Sequence, residues 1–183
     1  PDETETGIKI MSVNLLLDDE TTPVLWRGPI IAGTVKQFYS DIIWGDIDYM
    51  FIDCPPGTGD VPLTIFQSIP IDGVVVVTTP QDLVSVIVGK AVHMADSMNI
   101  PVIGMIENMS YFICPDCNNK HYIFGKSQLE QVIRDLYIGH AIRLPINSSL
   151  AGLMDRGEIE HMEANADLQE FADLISTFDP DKY

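Results

Sequence analysis

The sequence predicts an α/β fold built on a doubly wound, mostly parallel β-sheet. Short apolar runs rich in valine and isoleucine alternate with segments whose apolar residues have helical spacing. Several of these runs stop abruptly at proline, glycine or polar turn residues, as buried parallel strands do. The connections are short, and strand–helix–strand units with right-handed crossovers are the usual way to build such a sheet.

The predicted elements alternate along the chain. A weakly alternating segment at 8–13 could form a strand, a polar loop is expected at 18–23, and a helix is expected from Gly33 to Trp44 with one apolar face. The elements expected after these are a strand at 49–53, a short helix at 62–68, strands at 73–78 and 100–106 flanking a helix at 82–98, a helix at about 127–137, a strand at 141–144 and a helix at about 165–178. No linker or repeat interrupts them, so the 183 residues are expected to form a single domain.

Composition excludes several classes of partner. A net charge of −17 repels phosphate backbones, so no nucleic-acid partner is expected. No run of 18 apolar residues is present, and no membrane span is expected. Three cysteines argue against a disulfide scaffold and for a reducing compartment, which we take to be the cytoplasm. The acidic start of the chain is not a signal peptide, and its lack of methionine suggests that the chain begins part-way through a longer product.

The strand expected at 49–53 ends in a carboxylate followed by a proline- and glycine-rich turn, Asp53-Cys54-Pro55-Pro56-Gly57-Thr58-Gly59-Asp60. Open α/β sheets bind ligands at the carboxyl ends of their strands, and glycines let backbone N–H groups approach an anion. An aspartate in this place can hold Mg²⁺ beside a phosphate. The alternative is a buried strand and a tight turn with a capping Asp53.

The segment Cys114-Pro115-Asp116-Cys117 can point two thiolates at one metal. Zinc and [4Fe–4S] sites usually take four ligands, so one pair supplies half of a site. A symmetric dimer would supply the rest, whereas Cys54 is expected to be a small buried hydrophobe. A reduced loop without a metal and a redox-active pair are the alternatives. His121 is close enough to compete as a ligand, but we expect it to be polar surface.

Together these segments resemble the Mrp/Nbp-type iron–sulfur cluster carriers, which are deviant P-loop ATPases related to MinD and ParA. Residues 53–60 match their Walker B and switch II segment, and residues 26–29 also match. The cysteine pair lies between Glu107-Asn108-Met109-Ser110-Tyr111-Phe112 and Ile123-Phe124-Gly125, as in that family. The resemblance implies a P-loop NTPase sheet of the MinD type that is incomplete at its N-terminus, and a metal loop at about 108–125.

The resemblance also implies roles in a nucleotide site. Asp53 would be the catalytic residue, holding Mg²⁺ through water, and Gly57 would be the switch pivot that senses the γ-phosphate. Asn108 would read the adenine edge, and Pro145, in a loop at 145–147, would lie against the same base. For Asn108 the alternative is a side chain that only holds its own loop through backbone hydrogen bonds.

The metal function implied by the resemblance is that of an iron–sulfur cluster carrier or scaffold. Cys114 and Cys117 would bind a [4Fe–4S] cluster that bridges a homodimer, or a dimer with a related subunit, for delivery to apo iron–sulfur proteins. Mg-ATP would act in the full-length form. The alternatives are a MinD/ParA-like regulatory ATPase, disfavoured by the acidic C-terminus and net charge, and a zinc-bridged structural dimer.

The sequence contains no P-loop. Gly125-Lys126-Ser127 looks like the tail of one, but Lys120 stands where the first glycine should be. The family carries its P-loop upstream of the point where this chain begins. The chain by itself is therefore not expected to hydrolyse ATP, and we expect the natural protein to be longer.

Overall fold

The computed structural model describes residues 1–17, 28–163 and 165–182, so the polar loop predicted at 18–23 and residues 26–27 lie outside it. The chain forms two compact units, Pro1–Pro70 and Ile71–Tyr183. The single domain expected from chain length stays a prediction. Among the described helices, none has the length and apolar character needed to span a membrane.

The first unit contains a small antiparallel ladder and two helices that pack on each other. Its elements are β1 (Asp2–Glu3), β2 (Lys9–Ile10), a 3-10 turn (Val13–Leu16), α1 (Gly28–Ser40) and α2 (Asp60–Ser68). Helix α1 begins and ends earlier than the predicted Gly33–Trp44. The Trp44 indole N–H donates to the Phe38 carbonyl at 3.0 Å, which turns the chain back at the end of the helix. Ile43, predicted to lie on the apolar face, is 87% exposed.

The buried strand predicted at 49–53 is wrong. These residues belong to no β-strand, and the Phe51 side chain is 74% exposed. A strand needs a neighbour for its backbone N–H and C=O groups, and every ladder in the described part of the chain joins other segments. The apolar run therefore lies in irregular backbone that leads to Asp53.

The second unit is built on the sheet β3 (Val74–Thr78), β4 (Val102–Ile113) and β6 (Ala141–Pro145), with β4 parallel to both neighbours. Residues 104 and 105 of β4 face opposite sides, as alternation in a strand requires. Met105 packs in the core with Val88 and Leu129, which lie in two different helices, while Gly104 lies against Phe171, which lies in a third helix. Helices therefore cover both faces, which is the predicted doubly wound arrangement. Its helices are α3 (Asp82–Ser97), α4 (Leu129–Asp135), α5 (Ser148–Asp155) and α6 (Ala166–Ser176).

Most predicted elements of this unit are present within a few residues of their predicted bounds, and α5 is an element that the sequence analysis missed. Strand β3 was predicted to be buried, but Val77 is 64% exposed. Strand β3 pairs with β4 alone among the described strands, and Val77 points to the face opposite that of Val76, which is buried.

Strand β4 was predicted to end at Ile106, but it continues to Ile113. Its register with β6 pairs Glu107 with Arg143 and then Tyr111 with Pro145, so four steps along β4 oppose two along β6. The extra residues form a bulge, in which Met109 has a φ of +54°. The bulge lets the strand run on past the sheet and end at the cysteine pair.

Candidate functional site

The cysteine pair lies at the tip of a hairpin formed by β4 and β5 (Lys120–His121). The ladder pairs Phe112 with His121. Beyond it, the Cys114 N–H donates to the Asn119 carbonyl at 3.0 Å, and the Asn118 N–H donates to the Cys114 carbonyl at 2.9 Å. Asn118 has a φ of +55°, a conformation that asparagine tolerates better than most residues. The backbone therefore fixes the hairpin turn in which the thiols lie.

Three metal-ligating side chains converge at this turn. Donor atoms of Cys114, Cys117 and His121 all lie within 4.8 Å of one another. Ligands of a tetrahedral metal with ordinary metal–sulfur and metal–nitrogen bonds are roughly 3.5–3.8 Å apart, so small side-chain rotations would close the set. Cys114 is half-buried, and the other two residues are exposed, so the group is open to solvent.

The turn also favours the metal-binding form of the first thiol. Hydrogen bonds from the Asp116 backbone N–H, then from the Cys117 N–H and the Cys117 thiol, lower the pKa of Cys114 from its ordinary value. The thiolate is the form of cysteine that binds metals. Beside the turn, the Lys120 ammonium lies 4.1 Å from the centre of the Tyr111 ring.

The third cysteine has a different environment. Cys54 is half-buried in the first unit, and burial, followed by the neighbouring Asp53 carboxylate, raises the pKa of its thiol. A thiol held neutral behaves as a small apolar side chain. Cys54 was expected to be a small buried hydrophobe, and in the structure it is half-buried; its exclusion from the metal site stays a prediction.

Two of the predicted nucleotide-site residues flank the bulge of β4. The Asn108 side-chain oxygen accepts a hydrogen bond from the Met109 N–H at 2.9 Å, which is the local role considered as the alternative. Pro145 ends β6 instead of lying in a loop, and next to it the Ile146 N–H donates to the Tyr111 carbonyl at 2.7 Å. The structure thus places Asn108 and Pro145 on neighbouring strands at the same bulge.

The other two predicted residues lie in the first unit. Asp53 is exposed in irregular backbone. Gly57 has a φ of +87°, which residues with a side chain rarely adopt, so glycine is needed there. Asp60 then opens α2 with a negative charge in its first turn.

A buried polar network next to the bulge was missed by the sequence analysis. Glu107, 3% exposed, accepts hydrogen bonds from the hydroxyls of Ser110 at 2.5 Å and Ser127 at 2.9 Å. Arg143 lies 3.8 Å from the same carboxylate, and it donates to Ser127 at 3.1 Å and to Glu130 at 3.0 Å. The network ties β4 and β6 to the start of α4. A lone acidic residue inside an apolar run was the signal for it.

Comparisons with known proteins agree with this architecture. The model of the ParA family, described as NUBPL iron-transfer P-loop NTPase, matches residues 1–178. The chain is 48% identical over 158 residues to the iron-sulfur cluster carrier protein of Methanocaldococcus jannaschii, covering 86% of this chain and 54% of that protein. It is 41% identical over 179 residues to the protein of the same name from Methanococcus maripaludis, covering 97% and 62%.

A solved structure agrees as well. The nucleotide-binding protein of Archaeoglobus fulgidus, in complex with ADP and with cobalt, superposes with a TM-score of 0.77 at 37% identity, covering 98% of this chain and 66% of that one. This likeness confirms the predicted fold class. The chain spans 54% and 62% of the length of the two curated relatives.

Proposed function

Because the chain belongs to the ParA family of NUBPL iron-transfer P-loop NTPases, we propose that it is part of an iron–sulfur cluster carrier. Its cargo would be a [4Fe–4S] cluster held at the cysteine hairpin and delivered to apo iron–sulfur proteins. Its relatives in Methanocaldococcus jannaschii and Methanococcus maripaludis are named iron-sulfur cluster carrier proteins. Free thiols stay reduced in the cytoplasm, and we place the protein there.

The observation that carries the proposal is the hairpin itself. It presents Cys114 and Cys117 together at a turn that favours the thiolate of the first. Two thiolates are half of the four that a [4Fe–4S] cluster takes. A second copy of the hairpin, in a homodimer or a related subunit, would complete the set around a two-fold axis. The exposure of Cys117 suits a cargo that must be handed to another protein.

We also propose a nucleotide-dependent step in a chain that carries the family's P-loop. Asp53 would hold Mg²⁺ through water, and Gly57, whose φ of +87° favours glycine, would be the switch pivot that senses the γ-phosphate. The amide of Asn108 would donate to adenine, with Pro145 against the base. The Archaeoglobus fulgidus structure, with its bound ADP, supports a nucleotide site in this fold.

The donor set favours one rival function, a zinc-bridged structural dimer. Thiolate and imidazole ligands suit zinc as well as iron. Such a protein would bind zinc at the same thiols and would transfer no cluster.

Anaerobic reconstitution with iron and sulfide separates the two. We expect broad absorption near about 400 nm and about half a cluster per chain, in equal amounts of iron and sulfide. Cys114→Ser should lose the absorption and the bound iron and sulfide, and the control Cys54→Ser should keep them. Unchanged iron in Cys114→Ser would end the proposal, and a colourless protein with half a zinc per chain would favour the structural dimer.

The nucleotide step has a separate test. In a chain that includes the P-loop, Asp53→Asn should impair Mg-ATP turnover and leave cluster content unchanged, because only the metal–phosphate contact is altered. Normal turnover would remove Asp53 from the site.

A further inference from the structure

We propose that His121 is a third metal ligand, and that Cys114, Cys117 and His121 of one chain bind a single divalent transition-metal ion with one coordination position left open. The inference shares its two thiols with the proposed function. It differs from that function in its third ligand, in its stoichiometry of one ion per chain and in needing no second copy.

The hairpin register brings the imidazole to the thiols. The backbone bond to Asn119 extends the ladder so that Cys114 lies opposite that residue. Residues two apart on a strand share a face, so His121 lies on the same face as Asn119 and is a diagonal neighbour of Cys114. The tight turn then brings Cys117 back to the same place, which gives the mutual separation of at most 4.8 Å.

Packing does not explain why a histidine occupies position 121. The side chain of His121 is exposed, and so is that of Tyr122 beside it. His121 therefore adds little to a hydrophobic core. What its position does provide is a nitrogen donor within reach of both sulfurs.

The donor set fits a particular class of ion. Two thiolates and one imidazole suit Fe²⁺, Co²⁺ and Zn²⁺, and three protein ligands with a fourth position for water or an incoming group is a common arrangement for zinc. Two thiolates alone would leave an ion in one chain with half of its ligands. The imidazole raises this to three, so a single chain can hold an ion before a second hairpin arrives.

The same geometry accounts for a change of ligands. When two hairpins meet, their four thiolates can instead bind a [4Fe–4S] cluster built from added iron and sulfide, with one thiolate on each iron and no place for the imidazole. His121 would then matter for a single ion in a single chain and not for the bridged state. This difference separates the inference from the proposed function.

The test is an anaerobic Co²⁺ titration, because tetrahedral Co²⁺ with thiolate ligands gives intense visible d–d bands and sulfur-to-metal charge transfer. Wild-type protein should bind one Co²⁺ per chain, and native mass spectrometry should find the ion in the monomer. His121→Ala should weaken binding about tenfold or more and reduce the d–d intensity. The control His161→Ala, an exposed histidine elsewhere in the unit, should match wild type. His121→Cys should restore binding with stronger charge transfer.

Other outcomes would overturn the inference. These are equal Co²⁺ affinity in His121→Ala and His161→Ala, or half a Co²⁺ per chain in a wild-type dimer. Iron–sulfide reconstitution adds a second readout: His121→Ala should keep its cluster, and loss of the cluster would contradict the exchange of ligands. If no variant takes up iron and sulfide while the Co²⁺ results hold, the proposed function fails and the inference stands.

Discussion

Replacing Glu107 by glutamine tests how much the hydrogen bonds to its carboxylate contribute to the stability of the buried network beside the bulge. The carboxylate accepts two hydroxyl hydrogen bonds, at 2.5 Å from Ser110 and 2.9 Å from Ser127. Ser127 already accepts from the Leu129 N–H and from Arg143, so its proton must point at residue 107. The new amide would therefore turn its oxygen toward Ser127 and its nitrogen toward Ser110, whose hydroxyl can rotate to accept.

The expected loss of stability in Glu107→Gln follows from the replacement of the carboxylate by an amide. Both hydrogen bonds survive but lose their charge assistance, which is roughly half of the 1.5–3 kcal/mol that each contributes to a charged group. The Arg143 contact adds little, because it is 3.8 Å long and the Arg143 side chain is 34% exposed. The two losses add up to about 1.5–3 kcal/mol, and these net values already include the cost of burying the charge, so Glu107→Gln should lower the free energy of unfolding by about 2 kcal/mol. Glu107→Ala, which also leaves a cavity, should cost about 3–5 kcal/mol.

Urea unfolding followed by far-ultraviolet circular dichroism would measure these changes at a constant m-value. The matched control is Glu130→Gln, since Glu130 contacts the same arginine but its side chain is 62% exposed. Its loss should stay below about 0.5 kcal/mol. If Glu107→Gln were no more destabilising than this control, the hydrogen bonds from Ser110 and Ser127 to residue 107 would not stabilise the fold as argued.

Two further predictions concern packing and thiol chemistry. Gly104→Ala should lower the free energy of unfolding by about 1–3 kcal/mol in the same assay, because its new Cβ would lie 2.8 Å from the Phe171 ring. The control Gly139→Ala, whose new Cβ meets nothing within 4 Å, should leave the free energy of unfolding nearly unchanged. Equal losses of stability in the two variants would refute the close packing at Gly104. Iodoacetamide should modify Cys114 faster than Cys54 at neutral pH, because a lowered pKa keeps the first thiol ionised at a lower pH and a raised pKa keeps the second neutral. Peptide mass mapping across pH checks this order, and equal rates would contradict it.

The sequence predicts β3 and α3 correctly, because the pattern that marks each of them lies within the element itself. The valine run of β3 and the helical spacing of α3 place these elements within one or two residues of their observed bounds. The run at 49–52 carries the same signal, but it forms no strand, since a strand also depends on a partner that no local pattern reveals. The exposure of the Val77 side chain has the same origin, because the cover of a strand face also depends on elements that no local pattern reveals.

The candidate site was predicted in part for a similar reason. Spacing made Cys114 and Cys117 candidates for a metal-binding pair, and the family resemblance favoured a metal over a reduced loop or a redox pair. His121 was near enough in sequence to compete as a ligand, but only the register of the hairpin places it beside the two thiols. The role of Glu107 depends on Ser127, which is 20 residues away in sequence. The sequence predicts a loop after Ile106, whereas β4 continues through Glu107, because a buried glutamate in a strand is stable only with partners that tertiary structure supplies.

Cluster transfer to an acceptor is the measurement that tests the proposed carrier function most directly. Protein reconstituted anaerobically would be mixed with the apo form of a [4Fe–4S] enzyme in the presence of an iron chelator, and the recovery of enzyme activity would be followed. The carrier function predicts that activity returns faster than with equal amounts of free iron and sulfide, and that Cys114→Ser protein restores none. Recovery no faster than with the free ions, or a cluster that stays on this chain, would contradict it.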